Sequence, residues 1–245
     1  PEQVDLALRA SRRSKAFLQI GQQLRYYPAL REVIRQIHED KILGATFVIK
    51  AQRHSTPSRQ PRDISWYDDV KRSGDLIVEN AVHNIDACNW IAASRPVSAY
   101  GHGKKYLPKP IPPGTVMMDG FSVEYIYEND MHLDYSQLYL HPRGLRTLAN
   151  GQWYVVFGEK GAVHLTHDNG LFYEAHAEEA REMVTAAIRA QRENAMGDFY
   201  ACIRENRKPF ADITVAATAA LTAILGREAI YRGRSVTWKE LGVAL

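Results

Sequence analysis

The 245-residue chain is 45% hydrophobic and 24% charged, with a formal net charge of +3. That is the balance of a globular protein with a substantial core, built as one large domain or one domain plus a piece of another. Apart from Arg9, Arg12, Arg13 and Lys15, the basic residues are scattered, which excludes a nucleic-acid stripe; Cys88 and Cys202 sit in apolar helical patterns without CxxC spacing, which argues against a disulfide framework or a zinc site.

Residues 2–15 predict a short amphipathic helix with Val4, Leu6, Leu8 and Ala10 as its apolar positions. AFLQIG (16–21) predicts a short strand ended by glycine. PALREVIRQIHED (28–40) predicts a second helix: Pro28 suits the first turn, and Leu30, Val33, Ile34 and Ile37 share a face. ATFVIKAQR (45–53) has the β-branched and aromatic content of a strand, and a long polar loop, HSTPSRQPRDISW, follows it. From Ile77 to Ala93 the helical period returns. VSAYGHGKKY, DGFSVEYIYEND, MHLDYSQLYLH, QWYVVFGEKGAVHLTH and GLFYEAH then predict a run of strands, with turns at Asn129-Asp130 and Gly158–Gly161. Residues 178–207 and 212–232 predict helices, and RSVTW (234–238) a terminal strand.

This order predicts an α+β fold: one large, mostly antiparallel open sheet with helices on one face, preceded by the tail of an α/β unit. Aromatics recur along the strands (Phe121, Tyr125, Tyr127, Tyr135, Tyr139, Trp153, Phe157), as core or subunit contacts. A sheet covered on one face must hide the other, so a homodimer or homotetramer formed through the open face is expected. No apolar run reaches bilayer length and no signal peptide is seen, so a cytoplasmic protein is expected; PEQVDLALRASRRSK reads as the middle of a longer chain.

Phosphate loops would be decisive. GHGKKY (101–106) lacks the third glycine and opens no helix, and GEKG (158–161) is too short; no Walker, HExxH or GxSxG pattern occurs, and the histidines show no paired metal-ligand spacing. The sharpest feature is IVENAVHNIDACNW (77–90), where Glu79, His83 and Asp86 recur at spacings of four and three, on one face of a helix. Such a cluster is a general acid/base pair at the mouth of a site or a buried histidine held by a carboxylate. The turn Ser73-Gly74-Asp75 places Glu79 and His83 in the first turns of the helix, and Glu79, Asn80 and His83 interrupt an apolar stripe. His83 suits proton exchange near neutral pH, with Glu79 orienting or tuning it.

In their order, QIGQQLRYYPALREVIRQIHEDKILGATFVIKAQ, SGDLIVENAVHNIDACNWI and FYACIRENRKPFADITVAATAALTAILGREAIYRGRSVTW resemble the Gfo/Idh/MocA family of nicotinamide-dependent oxidoreductases, along essentially the whole chain. The resemblance implies hydride transfer at a carbinol carbon of a sugar or polyol, with NAD or NADP as cofactor and no metal. It makes His83 the residue that exchanges the proton with the reacting hydroxyl, with Glu79 beside it where the family often has Asp. Asp86 braces the helix, Asn89 and Trp90 pack, Gln23, Asn80 and Trp66 contact substrate, and Arg25 contacts the cofactor. The family's GxGxxG, acidic ribose-binding residue and EKP lysine are not in these residues. Residues 1–27 are accordingly read as the remnant of a dinucleotide-binding Rossmann domain and 28–245 as the substrate-binding and oligomerisation domain. Two alternatives stay open: an NAD-dependent glycoside hydrolase of the same superfamily, and a cofactor-free binding or assembly domain.

Overall fold

The computed structural model describes residues 1–57, 66–108, 110–145, 151–192 and 194–245. The loop expected after β1 falls largely on residues 58–65, outside the described residues. The helices are α1 (Glu2–Arg13), α2 (Pro28–His38), α3 (Val70–Ser73), α4 (Leu76–Glu79), α5 (Val82–Ala92), α6 (Ala186–Arg189), α7 (Ala195–Glu205) and α8 (Ile213–Arg232). The strands are β1 (Thr46–His54), β2 (Pro96–Lys104), β3 (Gly120–Tyr127), β4 (His132–Leu138), β5 (Gly151–Gly158), β6 (Gly161–Leu165), β7 (Gly170–Glu174), β8 (Arg181–Glu182) and β9 (Val236–Thr237). They form one sheet in the order β8-β7-β6-β5-β1-β4-β3-β2-β9. β1 and β4 run parallel at its centre and the other pairs are antiparallel. The mostly antiparallel open sheet expected from the strand pattern is therefore the fold.

Alternation along the strands decides the layers. On β3, Phe121, Val123, Tyr125 and Tyr127 are buried while Ser122, Glu124 and Ile126 are exposed. The buried set packs under α8, α5 and α4, and the largest fully buried side chains include Tyr125, Tyr127, Tyr135 and Tyr154. α8 lies over β2 and β3, and α5 over β1. α8 is long and apolar enough to cross a membrane, which corrects the expectation that no apolar run reaches bilayer length; most of its apolar stretch is buried in this core.

Three further expectations need correction. AFLQIG is no strand: its backbone pairing is confined to the bridge Gln19–Asp212 and to Ile20 N–H donating to Ala211 C=O. A short extended segment needs a neighbouring strand to satisfy its backbone, and none runs beside it among the described residues. The helix expected over 178–207 is mostly β8, a turn and the single turn α6, with α7 alone a helix of some length. The helix expected from Ile77 to Ala93 breaks at Asn80-Ala81 into α4 and α5.

Candidate active site at the α4–α5 break

Asp75 fixes this region. It is fully buried and sits at φ 75°, ψ 166°, a backbone region otherwise almost confined to glycine, where its side-chain contacts hold it. One carboxylate oxygen accepts from the backbone N–H of Leu76 and of Met118, each at 2.7 Å; the other accepts from Tyr231 Oη at 2.7 Å. A single side chain thus caps α4, holds the segment leading into β3 and ties both to α8. The sequence showed it only as part of a turn.

The break after Glu79 removes the premise of the four-residue spacing, because residues 79 and 83 no longer share one continuous helix. Glu79 makes no hydrogen bond to His83; its Oε2 is buried and has no hydrogen-bond partner among the described residues. The partner of His83 is Gln22: His83 Nδ1 lies 3.2 Å from Gln22 Oε1. With the carbonyl oxygen of Gln22 as acceptor, Nδ1 carries the proton and Nε2 keeps its lone pair. Burial, reinforced by the positive charge of Arg53, lowers the His83 pKa below the ordinary histidine value, so the ring is neutral at neutral pH. Gln22, Glu79 and His83 line one cleft of about 470 Å³, walled by α1, residues 20–22, the start of α5 and α8. A larger cleft, about 940 Å³, lies beside Arg31, Arg35 and His38 and holds none of these three.

The other expected site residues divide. Asn80 is tied to the sheet, its Oδ1 accepting from Gln137 Nε2 (2.9 Å) and Tyr139 Oη (3.1 Å), which leaves its NH2 for a ligand. Gln23 is exposed, opens a 3-10 turn and does not line the cleft; the neighbouring Gln22 does. Trp66 is exposed, packs edge-on to Tyr67 and is also away from the cleft walls. Arg25, expected at the cofactor, is instead buried in a two-pronged ion pair with Asp86 (2.8 and 3.0 Å), its guanidinium over the rings of Trp90 and Phe210. Asp86 braces α5 through that pair. Asn89 packs as expected, between Tyr127 Oη and Thr222 Oγ1.

A dinucleotide needs converging backbone N–H groups for its diphosphate. Among the described residues none of the glycine-rich stretches supplies them: Gly101 and Gly103 lie in β2 pressed against Val123 and Phe121, and Gly158 and Gly161 close the β5–β6 hairpin. The cleft therefore offers hydroxyl groups the His83 imidazole and the Glu79 side chain, and does not fit a dinucleotide by itself.

A profile of the GFO/IDH/MocA C-terminal domain matches residues 32–164. No curated protein sequence matches the chain. The fold is similar to that of an oxidoreductase from Thermotoga maritima (TM-score 0.76, 17% identity, 98% of this chain and 68% of that one). It is also similar to an aldose-aldose oxidoreductase from Caulobacter crescentus complexed with glycerol (TM-score 0.75, 17% identity, 96% and 68%). A third similar structure is a UDP-N-acetylglucosamine 3-dehydrogenase from Acidithiobacillus ferrooxidans (TM-score 0.70, 17% identity, 94% and 67%).

Proposed function

The chain belongs to the GFO/IDH/MocA family, and on that premise we propose that it carries the substrate side of an NAD(P)-dependent oxidoreductase acting on a sugar, polyol or related hydroxyl compound. One observation carries the reading: His83, its Nδ1 on Gln22 Oε1, and Glu79, whose Oε2 has no partner among the described residues, line the same cleft. The substrate hydroxyl donates to His83 Nε2. As the carbinol carbon is oxidised, its hydroxyl proton passes to Nε2, and the imidazolium so formed keeps its Nδ1–H on Gln22. In the reverse direction the same nitrogen returns the proton to the carbonyl oxygen. The Glu79 side chain accepts from a second hydroxyl of the substrate and fixes which carbon reacts. The nicotinamide takes or gives the hydride when bound; the described residues are assigned the proton and the substrate hydroxyls.

The proposal extends to domain roles and to assembly. Residues 1–27 are assigned to the dinucleotide-binding side: α1 and the 16–22 segment stand outside the sheet and meet the rest of the fold mainly through α8 and the Gln19–Asp212 bridge. A second copy of the chain is assigned to the uncovered sheet face. The cross-strand register sets Tyr173, Ala162, Phe157, Val48, His132 and Ile126 in one row across it, and Tyr173, Phe157 and Ile126 are exposed.

The test is spectrophotometric. The natural-length protein, given NAD or NADP and a panel of aldoses, polyols and nucleotide sugars, is expected to form reduced nicotinamide with at least one of them. Absence of turnover across the panel with both cofactors would count against the reading.

A further inference from the structure

Arg53 lies on the sheet side of the same break, beyond the residues that wall the 470 Å³ cleft. It lies on β1 in the alternation of Ile49 and Ala51, so it faces the helices. Its cross-strand neighbours are Gln137 on β4 and Gln152 on β5. Gln137 donates to Asn80, next to Glu79, and Gln152 donates to Tyr154 Oη, to which Asn84, next to His83, also donates. The inward row of the sheet that ends in Ala51, Tyr135 and Tyr154 thus turns polar at Arg53, under the α4–α5 break.

Half-burying a guanidinium costs hydration that a carboxylate ordinarily compensates. Elsewhere in this chain it does: the other arginines that are not exposed, Arg25, Arg35, Arg95 and Arg227, each pair with an acidic side chain. Arg53 alone makes no hydrogen bond or ion pair among the described residues. Its charge disfavours protonation of His83 and of His167, whose ring lies tilted against Tyr27 and whose buried Nε2 has no hydrogen-bond partner among the described residues. A half-buried fork of donors with no acidic partner among the described residues is a receptor for an anion.

We propose that Arg53 is a specificity-determining residue, so that the sugar or polyol oxidised at His83 carries an anionic group, carboxylate or phosphate, seated on the Arg53 guanidinium. The proposal rests on the oxidoreductase reading of the His83 site and narrows its substrate class.

The experiment follows the His83 ring signals by NMR while the 245-residue protein is titrated with D-glucose, D-glucuronate or D-glucose 6-phosphate, in wild type and in Arg53→Gln. An acidic sugar is expected to bind about tenfold or more tighter than glucose and to raise the pH at which His83 protonates, since it offsets the arginine charge. Arg53→Gln is expected to abolish that preference while glucose binding and the melting temperature hold, because the side chain has no hydrogen-bond or ion-pair partner among the described residues. A response to glucuronate alone or to the phosphate alone identifies the anion and supports the proposal. Equal binding of all three sugars, or a preference that survives Arg53→Gln, overturns it and leaves the His83 reading standing. If no sugar moves the His83 signals, both readings fall together.

Discussion

Gln22 and His83 show what a spacing argument can and cannot reach. His83 and Glu79 were visible as polar interruptions of an apolar stripe, and both line the cleft. Gln22 is not visible in that way, because it sits in an irregular segment where no period says which side chain turns inward; Gln23, the residue expected at the substrate, is one position away and exposed. The same limit applies to Arg25, whose partner Asp86 is 61 positions distant. Burial of histidines gives a prediction at this scale. His54, His83, His164 and His167 all have pKa values lowered chiefly by burial from the ordinary 6.5. The unfolded chain therefore binds more protons than the folded one between those lowered values and about 6.5, and stability rises with pH across that window. The melting temperature is expected to fall between about pH 7.5 and about pH 5.5, and His54→Gln to flatten the slope. A melting temperature that rises on acidification would contradict the assignment of neutral buried rings.

At the scale of elements, periodicity found the long pieces and missed what long-range contacts decide. α2, β1 and α8 were legible from apolar spacing. The α4–α5 break was not, since Asn80 and Ala81 carry no breaker signal. The helical hydrogen bonding is interrupted where Asn80 is held by Gln137 and Tyr139, and α4 is held by Asp75 to Met118 and Tyr231. AFLQIG failed for the opposite reason: its composition suits a strand, but pairing requires a neighbour. α8 meets this region at Gly226, where an added Cβ would collide with the Tyr125 hydroxyl and come within 2.9 Å of Ile77 Cδ1. Gly226→Ala, which in an exposed helix would stabilise, is expected here to cost about 1–3 kcal/mol by forcing α8 off the sheet and α4. Chemical denaturation checks it, and a variant as stable as wild type would show that α8 is not seated so closely.

For the whole molecule, the sheet was the most legible feature, because alternation reports both faces at once. Of the aromatics singled out along the strands, Phe121, Tyr125, Tyr127 and Tyr135 form the core under the helices, while Phe157 and Trp153 belong to the other face. If a second copy covers that face, Phe157→Asp with Ile126→Asp is expected to convert an associated wild type into a monomer of unchanged circular dichroism. Sedimentation velocity reads this directly, and a wild type that sediments as a monomer at micromolar concentration would remove the assembly proposal without touching the site. The account as a whole turns on His83. Steady-state turnover of the natural-length protein with nicotinamide cofactor and its sugar substrate, compared between wild type and His83→Gln, tests it most directly. The account predicts a kcat lower by about 10²–10⁴ with substrate binding retained; a variant that turns over at the wild-type rate while still folded would contradict it.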